Sequence, residues 1–146
     1  MGSLTDFLRQ QKQAGRSRSE AKKLSEWRDA LDVLFKQILS WLAEAEREKL
    51  IKISKSKVTL TEGTLSGYGA PCLILTAGAK TVKFRPKGFK IIGADGRVDM
   101  EFPNGTYMLL YLSDKKRWVH GFGKRPADFP ELTEELFVDL LKKALS

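Results

Sequence analysis

The sequence predicts an α+β fold: a long N-terminal amphipathic helix, an antiparallel meander of six to seven strands that can curl into a small barrel, and a C-terminal amphipathic helix. Three observations carry this. From Ser17 to Lys49 there is neither Gly nor Pro, and apolar residues recur at helical spacing. Beyond Leu50 the apolar period shortens to two, with turn residues between the runs. From Glu131 the helical period returns.

The chain has 146 residues, the length of one ordinary domain. Residues 1–16 are polar, with Gln10, Gln11, Gln13 and Gly15, and read as a flexible basic arm. Residues 17–146 read as a single domain with a helix over 17–49, a sheet over 51–121 and a helix over 131–145. Ser17 and Glu20 have the spacing of a capping box, in which each side chain satisfies the other's free backbone N–H. Leu24, Trp27, Leu31, Leu34, Ile38, Trp41 and Ala45 then step by alternating threes and fours. Ala30, Phe35 and Leu42 widen the stripe, which suits packing on a sheet.

Strands are expected around Ile51–Leu60 and over 72–77, 80–86, 89–93, 97–102, 106–112 and 116–121. Gly63, Gly67, Gly69 and Pro71 read as a loop around Tyr68. Asn104-Gly105 and Asp95-Gly96 are two-residue hairpin signals. Centring turns on them pairs Phe102 with Tyr107, Met100 with Leu109 and Val98 with Tyr111, and then Phe89 with Phe102, Lys90 with Glu101 and Ile91 with Met100. An even loop at Asp114-Lys115 adds Trp118 opposite Tyr111 and His120 opposite Leu109. The other face would carry Lys90, Ile92, Asp99, Glu101, Met108, Leu110, Leu112 and Val119. It is too apolar to be fully solvated, so something should cover part of it. Leu132, Leu136, Phe137, Leu140, Leu141 and Leu145 form the inward stripe of the last helix, with acids early and Lys142-Lys143 late, as the helix dipole prefers.

Six or seven antiparallel strands followed by a C-terminal helix resemble the element order of pleckstrin-homology-like barrels, over roughly residues 57–145. The resemblance is one of topology. It rests on no motif, excludes the first helix and implies no function.

The residues argue against familiar chemistry. There is one histidine, His120, and one cysteine, Cys72, too few for a four-ligand zinc site. No nucleophile elbow, P-loop or dinucleotide fingerprint occurs. His120 reads as a hydrogen-bonded structural residue and Cys72, in an apolar run, as a buried thiol. No cofactor, metal or enzymatic activity is expected. No apolar run approaches the roughly 20 residues of a membrane span, and the start has no apolar signal region. The expected location is cytoplasmic.

Charge and apolar surface remain. The formal net charge is +8. Arg9, Lys12, Arg16, Arg18, Lys22 and Lys23 stand against Glu20 alone over residues 9–23. Two basic-aromatic clusters follow: Lys83, Arg85 and Lys87 around Phe84 and Phe89, and Lys115, Lys116, Arg117, Lys124 and Arg125 around Trp118 and Phe122. The leading expectation is a non-enzymatic interaction module that binds a protein partner or itself through helix 17–49. A helix of that length, near 50 Å at about 1.5 Å per residue, should overhang a sheet about 29 Å wide. The exposed apolar segment is expected at Leu24, Trp27 and Leu31. The alternative is a nucleic-acid-binding protein that contacts phosphates through Arg9, Lys12, Arg16, Arg18 and the two basic clusters, without strong sequence specificity.

Overall fold

A computed structural model describes the backbone of residues 2–62, 65–121 and 125–146, with the side chains of 11–19, 65 and 66 left out of the description. The element order is α1 (Gly2–Arg47), β1 (Lys52–Glu62), β2 (Leu65–Ala77), β3 (Lys80–Gly88), β4 (Gly96–Phe102), β5 (Gly105–Leu112), β6 (Arg117–His120), a 3-10 turn (Pro126–Asp128) and α2 (Glu134–Leu145). The strands form one antiparallel sheet in sequence order, β1 to β6. The α+β prediction holds, and so do both helices and the meander. The sheet stays open: β1 and β6 are its two edges, so the barrel alternative is corrected.

Helix α1 begins at Gly2, not at Ser17. Ser17 therefore lies inside a continuous helix and cannot take the extended backbone of an N-cap. From Gly2 on, the arm expected over 1–16 is the first part of a 46-residue helix. The middle of α1 forms the core face. Trp27, Ala30, Leu31, Leu34, Phe35, Ile38 and Leu42 are buried, and they join Leu73, Leu75, Val82, Phe84, Val98, Met100 and Leu109 of the sheet in one cluster. Trp27 lies against Gly96 and Arg28 over the Tyr68 ring at one end of the strands, and Glu46 lies beside Thr76 and Gly78 at the other, so α1 runs along the strands. The stripe is covered where the sheet lies beneath it.

Gly96 sets how closely α1 approaches. Its absent side chain faces the Trp27 ring, and a Cβ placed there would overlap Cζ3 and Cε3. Trp118 stands beside Trp27 with ring centroids 6.1 Å apart, and its Nε1 donates to the Ala30 carbonyl at 3.1 Å. Helix α2 covers the same sheet face. Phe137 lies 6.0 Å from Phe84 and 5.3 Å from Trp41, centroid to centroid, and Lys80 Nζ donates to the Leu145 carbonyl at 2.9 Å. Thr133 caps α2 by accepting from the Leu136 N–H at 3.2 Å. The helix starts at Glu134, later than expected, because residues 130–132 run along β6: His120 N donates to the Pro130 carbonyl and Leu132 N to the Trp118 carbonyl.

The register corrects two turns. In the β4–β5 hairpin, Phe102 pairs with Gly105, Met100 with Tyr107 and Val98 with Leu109. This is a slip of two residues from the turn centred on Asn104-Gly105. The loop is Pro103-Asn104; Pro103 must keep a negative φ, which excludes the primed turn that Asn-Gly favours. Because the slip is even, every side chain keeps its expected face. Met100 and Leu109 are buried as expected, and Phe102 still meets Tyr107, diagonally, with centroids 4.8 Å apart. Tyr111 pairs with Trp118 and His120 with Leu109, as predicted.

The second correction is larger. Residues 89–93 form no strand, and β4 pairs with β3: Phe84 with Met100, Arg85 with Asp99, Lys83 with Glu101. The pairs expected for Phe89, Lys90 and Ile91 do not occur. Gly88 and Gly93 take φ of +134° and +81°, which turn the chain out of the sheet. The expected loop at 63–71 is also revised, since β2 runs through Tyr68 to Ala77. The displaced 89–95 segment covers part of the outer face. There Leu110, Leu112 and Val119 are buried under Ile91, Ala94 and Phe129, which accounts for the apolar residues on that side.

Gly96→Ala should destabilise the fold by about 1–3 kcal/mol through overpacking against Trp27. Gly69→Ala, where a Cβ meets nothing within 4 Å, should cost markedly less. Urea unfolding of both variants measures the difference.

Candidate functional site

The apolar side chains expected to form an interface are distributed differently from the prediction. Trp27 and Leu31 are each 1% exposed and lie in the chain's own core, and Leu24 packs half-buried against it. While Val33, Leu50, Ile92 and Val138 are exposed elsewhere on the surface, an exposed apolar cluster lies further back on α1: Leu4, Phe7 and Leu8 are 65%, 54% and 56% exposed. At about 100° per residue, their centre sits roughly opposite the Leu34–Ile38 side of an ideal helix. These three residues are therefore not a continuation of the core stripe. They form a second apolar face on the part of α1 that extends past the sheet. Their spacing suggests one anchoring turn within the expected arm; the helix supplies the turn, but the three side chains stay exposed.

The basic residues are spread over several surfaces. Arg9 is exposed beside the apolar patch; the side chains of Lys12, Arg16 and Arg18, and all of Lys124, fall outside the described residues. Lys83, Arg85 and Lys87 share the outer face of β3. Lys83 and Lys87 are exposed, whereas Arg85 Nε bonds Glu101 Oε1 at 3.0 Å, and that partner, foremost as a hydrogen-bond acceptor, raises its pKa. Beside it Arg97 pairs with Asp99 at 2.7 Å. Lys115 and Lys116 are exposed at the β5–β6 turn, Arg117 is half-buried, and Arg125 lies 3.5 Å from Asp128. Of the rings expected between these charges, Phe84, Phe89 and Trp118 are buried, and Phe122 lies outside the described residues.

Glu62, at the end of β1, organises the turn out of β3. Its Oε1 accepts from the N–H groups of Phe89 and Lys90 at 2.9 and 2.8 Å, and its second oxygen accepts from the Tyr68 hydroxyl. Gly88 leaves room for this carboxylate. Lys90 Nζ reaches Glu20 of α1 at 3.0 Å, and the Arg28 guanidinium lies 5.7 Å from the Tyr68 ring centre. Burial, then the hydrogen bond and charge of Glu62, push the Tyr68 phenol well above its ordinary pKa. The Trp27 indole N–H opposes this weakly, although it makes no hydrogen bond of ordinary geometry. Burial also raises Tyr111, helped by the charges of Glu26, Asp95 and Asp29.

His120 is buried on the core face: Nδ1 lies 3.0 Å from the Met108 carbonyl and the ring stands edge-on to Tyr107 at 5.5 Å. Cys72 is buried and unpaired. Among the described residues, no three His, Cys, Asp or Glu side chains gather as a metal site, and no helix is long and apolar enough to cross a membrane. No protein family, curated protein or solved structure matches the chain.

Tyr68 gives this arrangement a pH signature. Its folded pKa lies above the ordinary 10.0, so the folded state keeps a proton that the unfolded chain releases. Its contribution is fully present below about pH 10 and is lost as pH rises beyond it. Chemical denaturation between about pH 9 and 11.5 should show wild-type stability falling more steeply than that of Tyr68→Phe.

Proposed function

We propose that the protein is a non-enzymatic interaction or accessory module that binds through its N-terminal helix and basic surface. The observation that carries this reading is the exposed cluster Leu4, Phe7 and Leu8, on a helix end that the domain's own sheet does not cover. Burying one such side chain contributes roughly 1.5–3 kcal/mol, so a partner that covers all three gains substantially. The bases of residues 9–23 lie next along the helix and favour an acidic surround on the partner. Partner and self-association are both served by this geometry. The buried, unpaired Cys72 suits a reducing, cytoplasmic setting.

A nucleic-acid reading has one observation in its favour: Lys83, Lys87, Lys115 and Lys116 are exposed cations. With the neighbouring rings buried, such binding would be to phosphates, independent of sequence and strongly weakened by salt. The ratio of absorbance at 260 and 280 nm, before and after a high-salt wash, tests it directly.

Leu4→Glu/Phe7→Glu tests the main reading, because exposed positions tolerate charge without unfolding. Light scattering should show a dimeric wild type becoming a folded monomeric variant. If the wild type is monomeric, the variant should lose the partner that wild type captures. A variant identical to wild type in both assays removes the N-terminal helix as the binding element.

A further inference from the structure

The two edges of the sheet are treated differently. β6 is short, and residues 130–132 lie along its outer side with two backbone hydrogen bonds. β1 has eleven residues, no Pro, and β2 as its one neighbouring strand in the sheet order. Lys52, Ser54, Lys55, Ser56, Lys57 and Thr59 are all exposed. An edge of this length presents a row of free N–H and C=O groups, and such edges accept an added strand.

The chemistry beside that edge restricts what can be added. Directly paired residues share a face: Ile53 and Lys55, opposite Leu75 and Leu73, point toward the α1 side, and beyond Lys57 the faces exchange, so that Val58 and Leu60, opposite Ala70 and Tyr68, pack against the core. On that side a groove of about 360 Å³ lies between α1 and the edge, with Phe35, Leu39, Pro71 and Leu73 as its apolar lining. Its charged lining is Arg28, Lys36 and Lys55 against Asp32, and Asp32 already pairs with Lys36 at 2.9 Å. From Leu50 to Thr61 the chain has Lys52, Lys55 and Lys57 and no acid. The lysines therefore repel a second copy of β1 and attract an acidic strand.

We propose that the β1 edge is a second docking site, for an extended acidic segment of a partner protein that adds as a seventh strand. The register fixes the pattern the segment carries: acids opposite Lys55, which lines the groove, and Lys57, small polar residues opposite Ser54 and Ser56, and β-branched residues opposite Ile53 and over Val58 and Thr59. The site is separate from the Leu4–Leu8 surface, and either can fail without the other.

The probe is an end-blocked peptide, Val-Thr-Glu-Thr-Glu-Thr-Val, titrated into the full chain at low salt, with Lys in place of both Glu as control. The acidic peptide should bind and the basic one should not. Amide hydrogen exchange should slow at alternate residues of β1 on the free side. Lys55→Glu/Lys57→Glu should weaken the acidic peptide by about tenfold or more and admit the basic one; Lys55→Ser/Lys57→Ser should weaken the acidic peptide without admitting the basic one. Leu4→Glu/Phe7→Glu should bind it as wild type does. Absence of binding, or binding without slowed exchange in β1, overturns the proposal; so does binding indifferent to the lysine substitutions.

Discussion

The Trp27 ring rests on the bare backbone of Gly96, and the packing of α1 follows from that contact. It lets a bulky side chain pack against the sheet, where Trp118 beside it bonds the Ala30 carbonyl. With α1 fixed there, Leu31, Leu34, Phe35, Ile38 and Leu42 meet the sheet in turn and close the core. The same contact removes Trp27 and Leu31 from any interface. It leaves the first turns of the helix with no sheet to lie against, which makes Leu4, Phe7 and Leu8 an exposed apolar cluster at that end of α1.

Glu62 does for the loop what Trp27 does for the helix. One carboxylate holds two backbone N–H groups at the turn out of β3 and the hydroxyl of Tyr68. Residues 89–93, which read as a strand by their apolar content, are instead drawn out of the sheet, and the segment as far as Asp95 folds over the outer face. There Ile91 and Ala94 help bury Leu110, Leu112 and Val119. The charges that remain uncovered on that face are partly neutralised in pairs, Arg85 with Glu101 and Arg97 with Asp99.

Much of this was legible in the sequence because periodicity reports which face a residue takes. The buried stripe of α1, the buried Met100 and Leu109, and the Tyr111–Trp118 pair all follow from spacing alone. What spacing does not report is long-range. Gly96 looks like half of a hairpin turn until Trp27 is seen against it, and Asp95 instead accepts from the N–H and Oγ of Ser113, both at 2.8 Å. Gly105 looks like a turn glycine, yet it lies under the Phe102 ring. The arm at 1–16 looked loose because Gln and Gly dilute its pattern, and the helix carries through it nonetheless. The candidate surfaces were half legible: their composition could be read from the sequence, their placement could not.

The sealed β6 edge has a consequence for assembly. Growth of a β-stack needs two ports on every unit, one to receive and one to pass on. Here residues 130–132 occupy one port with the chain's own backbone. A molecule with a single port can end a chain or join one other molecule, but it cannot extend a series. For a chain whose other edge is eleven residues long, that valence of one restricts sheet-mediated assembly to finite complexes.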